Sequence, residues 1–365
     1  MLTGFMLNHG FGAFNSGWMQ FAAAFGVSFM IMICFGRKFV NAMRRIQGKG
    51  QPISENLPKT HLEKNGTPTM GGLLILAAVF VGSLLFVDWT NASAISAGIA
   101  LSSLAMFGAI GFADDYKKVL SQSKKASNGL SPIMRLALEG LCVIVLAFMI
   151  NWVMPPYIPG FSVTLPFGII LPLGIFYYVF AYFVIAGGAN ATNITDGLDG
   201  MLSKLYLPVL AVLVVALYGA TRIGFMDTVI FLPNAGSLYP VLGAVFGAML
   251  GFLWFNSRPA SIFMGDVGSL ALGGFMGTAA MLLKSEIIMG VAAGMMVLIL
   301  LSSFSQTMYF KITKKIYGQG RRIFKRAPLH HHFEEKGWAE TKIVERFFII
   351  GILCAGLALV MLKFA

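Results

Sequence analysis

The chain has 365 residues, of which 57% are hydrophobic and only 12% charged, with a formal net charge of +12 and a mean hydropathy of +0.78. Soluble domains carry about 25% charged residues, so this chain has too little polar surface to be one. Its long apolar runs show neither a heptad nor a Gly-X-Y period, which excludes coiled coil and collagen. The solvent it is built for is lipid.

A membrane-spanning helix needs about 20 mostly apolar residues. In chain order the stretches that meet this are 18–36, 70–89, 94–113, 133–154, 167–188, 202–219, 237–255, 268–283, 286–306 and 347–364, ten in all. The first has no Lys or Arg before it and no small-residue cleavage site after it, so no cleavable leader is expected. Cys34, Cys142 and Cys354 each fall inside an apolar stretch, without metal-ligand spacing, and are expected to be small buried hydrophobes.

The basic residues test this count, because Lys and Arg collect in cytoplasmic loops. Segment 37–64 holds seven of them, 114–135 five and 311–346 ten, and Lys204 and Arg258 add one each. Of the 27 basic residues only Arg222, Lys284 and Lys363 fall on the other side. An error of one span would break this alternation. The expected fold is an all-α integral membrane protein of ten transmembrane helices with both termini outside. It forms one polytopic domain whose cytoplasmic loops cover about 37–69, 114–132, 189–201, 256–267 and 307–346. The outer connections, such as Asn91 to Ser93 and Pro155 to Pro166, are short or moderate. No nucleic-acid partner is expected.

Five of the seven aspartates abut cytoplasmic ends of these stretches: Asp114 and Asp115 after the third, Asp196 and Asp199 after the fifth, and Asp266 before the eighth. Carboxylates near lipid are expensive, and adjacent ones repel each other. A divalent cation relieves that repulsion, and Mg²⁺ takes carboxylate, phosphate and water oxygens. Carboxylates beside many Lys and Arg suit a metal-bound polyphosphate. Glycines flank these acids, and Gly273 and Gly277 form a small-xxx-small pair suited to close helix packing. Glu139 is the only carboxylate well inside a predicted span. The run His330-His331-His332 lies in the last basic loop. Three consecutive histidines do not share one metal from a regular helix, so they point to hydrogen bonding with phosphate or sugar oxygens.

Five stretches together resemble a known family. They are Lys64-Asn-Gly-Thr-Pro-Thr-Met-Gly-Gly72, Gly111-Phe-Ala-Asp-Asp-Tyr-Lys-Lys118, Asn190-Ala-Thr-Asn-Ile-Thr-Asp-Gly-Leu-Asp-Gly200, Asn256 through Phe263-Met-Gly-Asp-Val-Gly268, and Phe324-Lys-Arg-Ala-Pro-Leu-His-His-His-Phe333. The chain resembles the polyprenyl-phosphate N-acetylhexosamine-1-phosphate transferases. The triple-histidine loop is similar to that of their phospho-N-acetylmuramoyl-pentapeptide branch. The resemblance implies transfer of phospho-N-acetylmuramoyl-pentapeptide from its UDP carrier to undecaprenyl phosphate, giving lipid I and UMP. It also implies Mg²⁺ as cofactor, a multi-pass protein of the bacterial inner membrane, a homodimer, and an active-site cleft on the cytoplasmic face.

Roles follow by the same resemblance. Asp266 matches the Mg²⁺ ligand. Asp114 and Asp115 match the acidic pair beside the metal, with Lys118 completing Asp-Asp-x-x-Lys. Asn190, Asn193 and the run Asp196, Gly197, Leu198 and Asp199 match the loop on the nucleotide side, to which Asn256 also belongs. Phe263 matches the residue that stacks on uracil, Lys64 and Thr69 match the uridine pocket, and His330, His331 and His332 match the loop near the sugar and phosphates. The chain departs from the pattern after the acidic pair. Asn128 stands where the family usually has Lys before Gly-Leu, Ile133 replaces a basic residue, and Arg135 is the nearby cation that remains.

The implied chemistry is in-line attack by the lipid phosphate on the sugar-linked phosphorus. A phosphate monoester has a second pKa of about 6, so no strong general base is obligatory, and Asp114 or Asp115 would position the acceptor or take its residual proton. The rival scheme passes through an aspartyl-phosphate. Two other functions compete. A sister enzyme using N-acetylglucosamine-1-phosphate would lack the triple-histidine loop. A transporter would place its carboxylates near the midplane.

Overall fold

A computed structural model describes residues 16–48, 66–120, 129–165, 169–222 and 230–363. The described chain is mostly helical. In order the helices are α1 (Gly17–Gln47), α2 (Gly72–Phe86), α3 (Ala94–Leu120), α4 (Pro132–Val153), α5 (Phe176–Ala181), α6 (Gly187–Thr195), α7 (Met201–Ala220), α8 (Leu238–Asn256), α9 (Gly265–Leu282), α10 (Glu286–Ala292), α11 (Gly294–Tyr317), α12 (Leu329–Glu334) and α13 (Glu340–Leu362). A π-helical turn, Tyr182–Ala186, joins α5 to α6. Among the described residues seven helical segments are long and apolar enough to cross a membrane: α1, α3, α4, α7, Pro233–Asn256, α11 and α13. The chain is therefore a multi-pass membrane protein.

Of the ten expected stretches, the second, fifth and eighth are not among these seven, and the ninth differs in detail. The fifth opens as strand, because β1 (Ser162–Leu165) and β2 (Ile169–Pro172) pair antiparallel with Ser162 opposite Pro172. The protein is thus helical with one small hairpin rather than purely α, and β-branched residues at 163, 164, 169 and 170 favour that pairing. The ninth breaks at Ala293 into α10 and α11, with Gly290 and Gly294 bracketing the break. The second is short, at 15 residues. Cys142 is buried as expected, but Cys34 lies exposed on the outer side of α1, and all three cysteines are free thiols.

Several helix ends expected to be cytoplasmic extend past the apolar stretch. Arg44 and Arg45, Lys117 and Lys118, and Lys314 and Lys315 occupy the last turns of α1, α3 and α11. Cations there complement the negative end of the helix dipole, so helix continues where hydropathy alone predicts loop.

The packing places α9 at the centre. Every residue from Val267 to Leu282 is buried, against α3, α6, the π turn and α2. Gly273 and Gly277 permit this approach: a Cβ on Gly277 would lie 2.6 Å from Ile185 Cα, and one on Gly273 2.5 Å from Ala189 Cα. Tyr206 donates to Leu272 O at 2.7 Å and Thr278 to Ser103 Oγ at 3.0 Å, polar ties of the kind that hold helices together in lipid. The outer helices carry the reverse pattern, with exposed apolar side chains such as Phe35, Leu141, Ile144, Phe304 and Leu353.

Candidate active site

The helix α3 delivers two acids and a base on one surface. Asp114 and Lys118 are four residues apart, the spacing that brings helical side chains together, and Lys118 Nζ lies 2.5 Å from Asp114 Oδ2. Asp115 lies beside them, and its Oδ2 accepts from Val267 N at 3.1 Å. That bond docks α3 on the first turn of α9, where Asp266 stands. Lys118 Nζ also reaches Asp266 Oδ2 at 2.9 Å. Each of Asp114, Asp115 and Asp266 offers an oxygen within 4.8 Å of the others. Of the five aspartates singled out in the sequence, these three come together. Asp196 and Asp199 do not belong to that group.

Backbone geometry around the cluster is set by a strand-like pairing. Phe263 N donates to Pro68 O, Gly71 N to Phe263 O and Gly72 N to Met264 O, each at 2.9 Å. Thr69 is clamped by the Gln47 amide, which accepts from Thr69 N at 2.9 Å and donates to Thr69 O at 3.0 Å. Gly265 then turns with φ +77°, and a Cβ there would sit 2.5 Å from Asp115 Oδ2 and 2.9 Å from Thr69 Oγ1. The Thr69 hydroxyl is buried and has no hydrogen-bond partner among the described residues. Three carboxylates with an orphaned hydroxyl beside them form an all-oxygen donor set, which fits a hard divalent cation such as Mg²⁺ or Mn²⁺. The Phe263 ring is half-buried next to this turn.

A second layer comes from α4 and α6. Ser131 caps α4, accepting from Met134 N at 3.2 Å, with Pro132 at the first helical position, the local sequence that starts a helix. Arg135 and Glu139 follow in the first two turns, four apart. Arg135 Nε donates to Glu139 Oε1 at 3.0 Å, and its Nη2 donates to Asn190 Oδ1 at 3.2 Å and Asn193 Oδ1 at 3.1 Å. Asn190 Nδ2 donates to Glu139 Oε2 at 2.7 Å, and Asn193 Nδ2 to Asp266 Oδ1 at 2.8 Å. Sequence reasoning noted Arg135 only as a leftover cation and Glu139 only as a buried acid. Their i,i+4 spacing was the available signal.

Beside this layer opens a cavity of about 410 Å³ lined by Asp114, Lys118, Gly129, Leu130, Pro132, Arg135, Leu136 and Asn190. Leu130 N donates to Asp114 Oδ1 at 2.6 Å and closes one wall. Ile133, Met134 and Leu136 leave α4 with an exposed apolar face next to the cavity.

The remaining expected residues split into two roles. Asn256 and Asp199 brace loops. Asn256 is buried; its Oδ1 accepts from Gly200 N at 3.1 Å and its Nδ2 donates to Ile262 O at 3.0 Å. Asp199 accepts from Ala260 N at 3.2 Å, and its own N–H donates to Glu340 Oε1 at 2.9 Å. Leu198 is core, and Asp196 ends α6 half-buried. The histidines lie on α12. His330 is buried against Gly197, which has no room for a Cβ, so the α12 loop and the 196–200 turn touch directly. His331 Nδ1 pairs with Glu334 Oε2 at 2.6 Å. His332 Nδ1 accepts from Lys325 N at 3.0 Å, which puts its proton on Nε2. Burial, and then Lys336 and Lys325, hold its imidazole below the ordinary 6.5. Lys64 and Asn128 lie outside the described residues.

Residues 96–284, just over half of the chain, match the family model described as glycosyl transferase family 4, and residues 64–76 match phospho-N-acetylmuramoyl-pentapeptide-transferase signature 1. The first match spans the acidic pair, Arg135, the asparagines and Asp266; the second covers the segment that pairs with Phe263 and Met264.

Proposed function

The chain belongs to glycosyl transferase family 4 and carries the phospho-N-acetylmuramoyl-pentapeptide-transferase signature, and from that premise we propose that it makes lipid I. It transfers phospho-N-acetylmuramoyl-pentapeptide from UDP to undecaprenyl phosphate and releases UMP at the cytoplasmic face of a bacterial inner membrane. Ten spans with outer termini, and a homodimeric assembly, complete this reading.

One observation carries it: three carboxylates from two helices meet two cations beside a cavity whose outer neighbour is an apolar helix face. Such a cavity suits a lipid phosphate, with its charge at Lys118 and Arg135 and its chain along α4. Asp114 lines the cavity and orients the acceptor oxygen or takes its residual proton. Asp115, beside the Thr69 hydroxyl at the Gly265 turn, and Asp266 would hold Mg²⁺. When bound, the ion supplies charge neutralisation at the pyrophosphate and the departing UMP. The donor's uridine lies on the Phe263 side near Thr69, with Lys64 assigned to the same pocket by the family resemblance alone, and His330, His331, His332 and Asp196 flank its sugar and phosphates. A lipid phosphate oxygen attacks the sugar-linked phosphorus in line as the bond to UMP breaks. Asn256, Asp199, Gly197 and Leu198 act by fixing the loops that carry these groups.

The test is transfer by detergent-purified protein with undecaprenyl phosphate, Mg²⁺ and either UDP-N-acetylmuramoyl-pentapeptide or UDP-N-acetylglucosamine. Metal-dependent labelled lipid from the muramoyl donor alone is expected. Product from the acetylglucosamine donor instead moves the protein to the sister branch.

A further inference from the structure

Glu139 plays no part in the reaction as described, yet it is fully buried, and each of its carboxylate oxygens has a partner leading back to the metal-site acid Asp266. Oε1 grips Arg135 Nε. Oε2 accepts from Asn190, whose other amide atom meets the same guanidinium. Arg135 is thus held from both sides, and its Nη1 stops 3.7 Å from Asp266 Oδ2. Asp266 keeps closer contacts with Lys118 and Asn193.

A guanidinium can grip a carboxylate with two parallel hydrogen bonds. If Arg135 closed on Asp266 in that way, it would occupy the oxygens a divalent cation needs. Glu139 competes for the guanidinium at its Nε edge and takes that geometry away. We propose that Glu139 is a positioning residue that holds the Arg135 guanidinium off Asp266 and so leaves the lone pairs not engaged by Lys118 and Asn193 to a divalent cation. Buried acids that keep a base in place are costly to remove one partner at a time, so the arrangement has to be probed as a pair.

The inference rests on reading the carboxylate cluster as the metal site. Its test is Mn²⁺ binding to the detergent-purified protein, followed by electron paramagnetic resonance without substrate. Glu139→Gln removes a negative charge near the site, so simple Coulomb loss would weaken Mn²⁺ equally whether or not Arg135 is present. Positioning demands more. Glu139→Gln should raise the Mn²⁺ Kd by roughly fivefold or more, in the range of coupling between contacting residues. In an Arg135→Gln background the same substitution should change it by less than about twofold. Equal effects in the two backgrounds, or no effect in either, overturn the proposal. Absence of Mn²⁺ binding in the unsubstituted protein overturns the metal-site reading itself, a distinct result. If Glu139→Gln does not fold, Glu139→Asp withdraws the carboxylate from Arg135 Nε by one methylene. It should then weaken Mn²⁺ binding with Arg135 present and not in the Arg135→Gln background, and a wild-type Kd for Glu139→Asp overturns the positioning role.

Discussion

Asn193 stands between Arg135 and Asp266 with its amide orientation decided by both. Its Oδ1 accepts from Arg135 Nη2 at 3.1 Å and its Nδ2 donates to Asp266 Oδ1 at 2.8 Å. Ser269 Oγ lies 3.0 Å from the same Nδ2. An amide is the one side chain of this shape that offers an acceptor to a cation and a donor to an anion. Asn193→Asp sets a carboxylate against Asp266. We expect kcat to fall at least about tenfold, the order of losing a charge-assisted hydrogen bond. Steady-state kinetics at saturating substrates checks this, and unchanged kcat would remove Asn193 from the site.

Phe263 offers a half-buried ring beside the Thr69 turn. Stacking of a base on an aromatic face is worth about 1–3 kcal/mol, and it is present in both ground and transition states. Phe263→Ala should therefore raise the donor KM by about tenfold with kcat nearly unchanged, as loss of uniform binding does. A fall in kcat alone would assign the ring a different task.

Gly265 has φ +77° and no space for a Cβ beside Asp115. Gly265→Ala meets both backbone strain and a carboxylate contact. The strain alone costs about 1–3 kcal/mol, and the Asp115 oxygen must move. A lower Tm together with weaker Mn²⁺ binding is expected. A Tm loss with wild-type Mn²⁺ binding would separate the turn from the cluster.

His332 accepts a backbone hydrogen bond only while Nδ1 is unprotonated. Its folded pKa lies below 6.5, from burial first and then Lys336 and Lys325. The neutral ring therefore favours the folded loop. That contribution is full above the ordinary pKa and is lost as pH falls through the depressed folded value. His332→Phe should have a lower Tm than wild type at about pH 7.5, and the gap should narrow toward about pH 5. A constant gap, read by thermal unfolding in detergent, would show that this ring's titration is not linked to folding.

Much of the site was legible before any fold was known. Asp114 and Lys118 are helical neighbours by spacing alone, and five aspartates from three loops at expected cytoplasmic helix ends point to a shared site. What could not be read was which acids converge. Asp199 has the same sequence credentials as Asp266, but it holds Ala260 and Glu340 together, while Asp266 meets Asp114 and Asp115. Hydrogen-bond partners 51 to 152 positions away leave no local periodicity. The β1–β2 hairpin was hidden for a related reason, since a short apolar run of strand length reads the same as helix.

The amino-acid sequence by itself determined that lipid is the solvent, that the basic residues gather in a few loops, and that the motifs are those of a phospho-sugar transferase. These follow from composition, charge and local spacing, all properties of neighbouring residues. Only the tertiary structure decided that Arg135, Glu139 and Asn193 join the carboxylates in one network, and that Asn256 and Asp199 are braces. The physical reason is that α9 is buried on every side. Its small residues let α3 and α6 approach closely enough for side chains from remote segments to share hydrogen bonds, and which groups meet there depends on packing that no single segment contains.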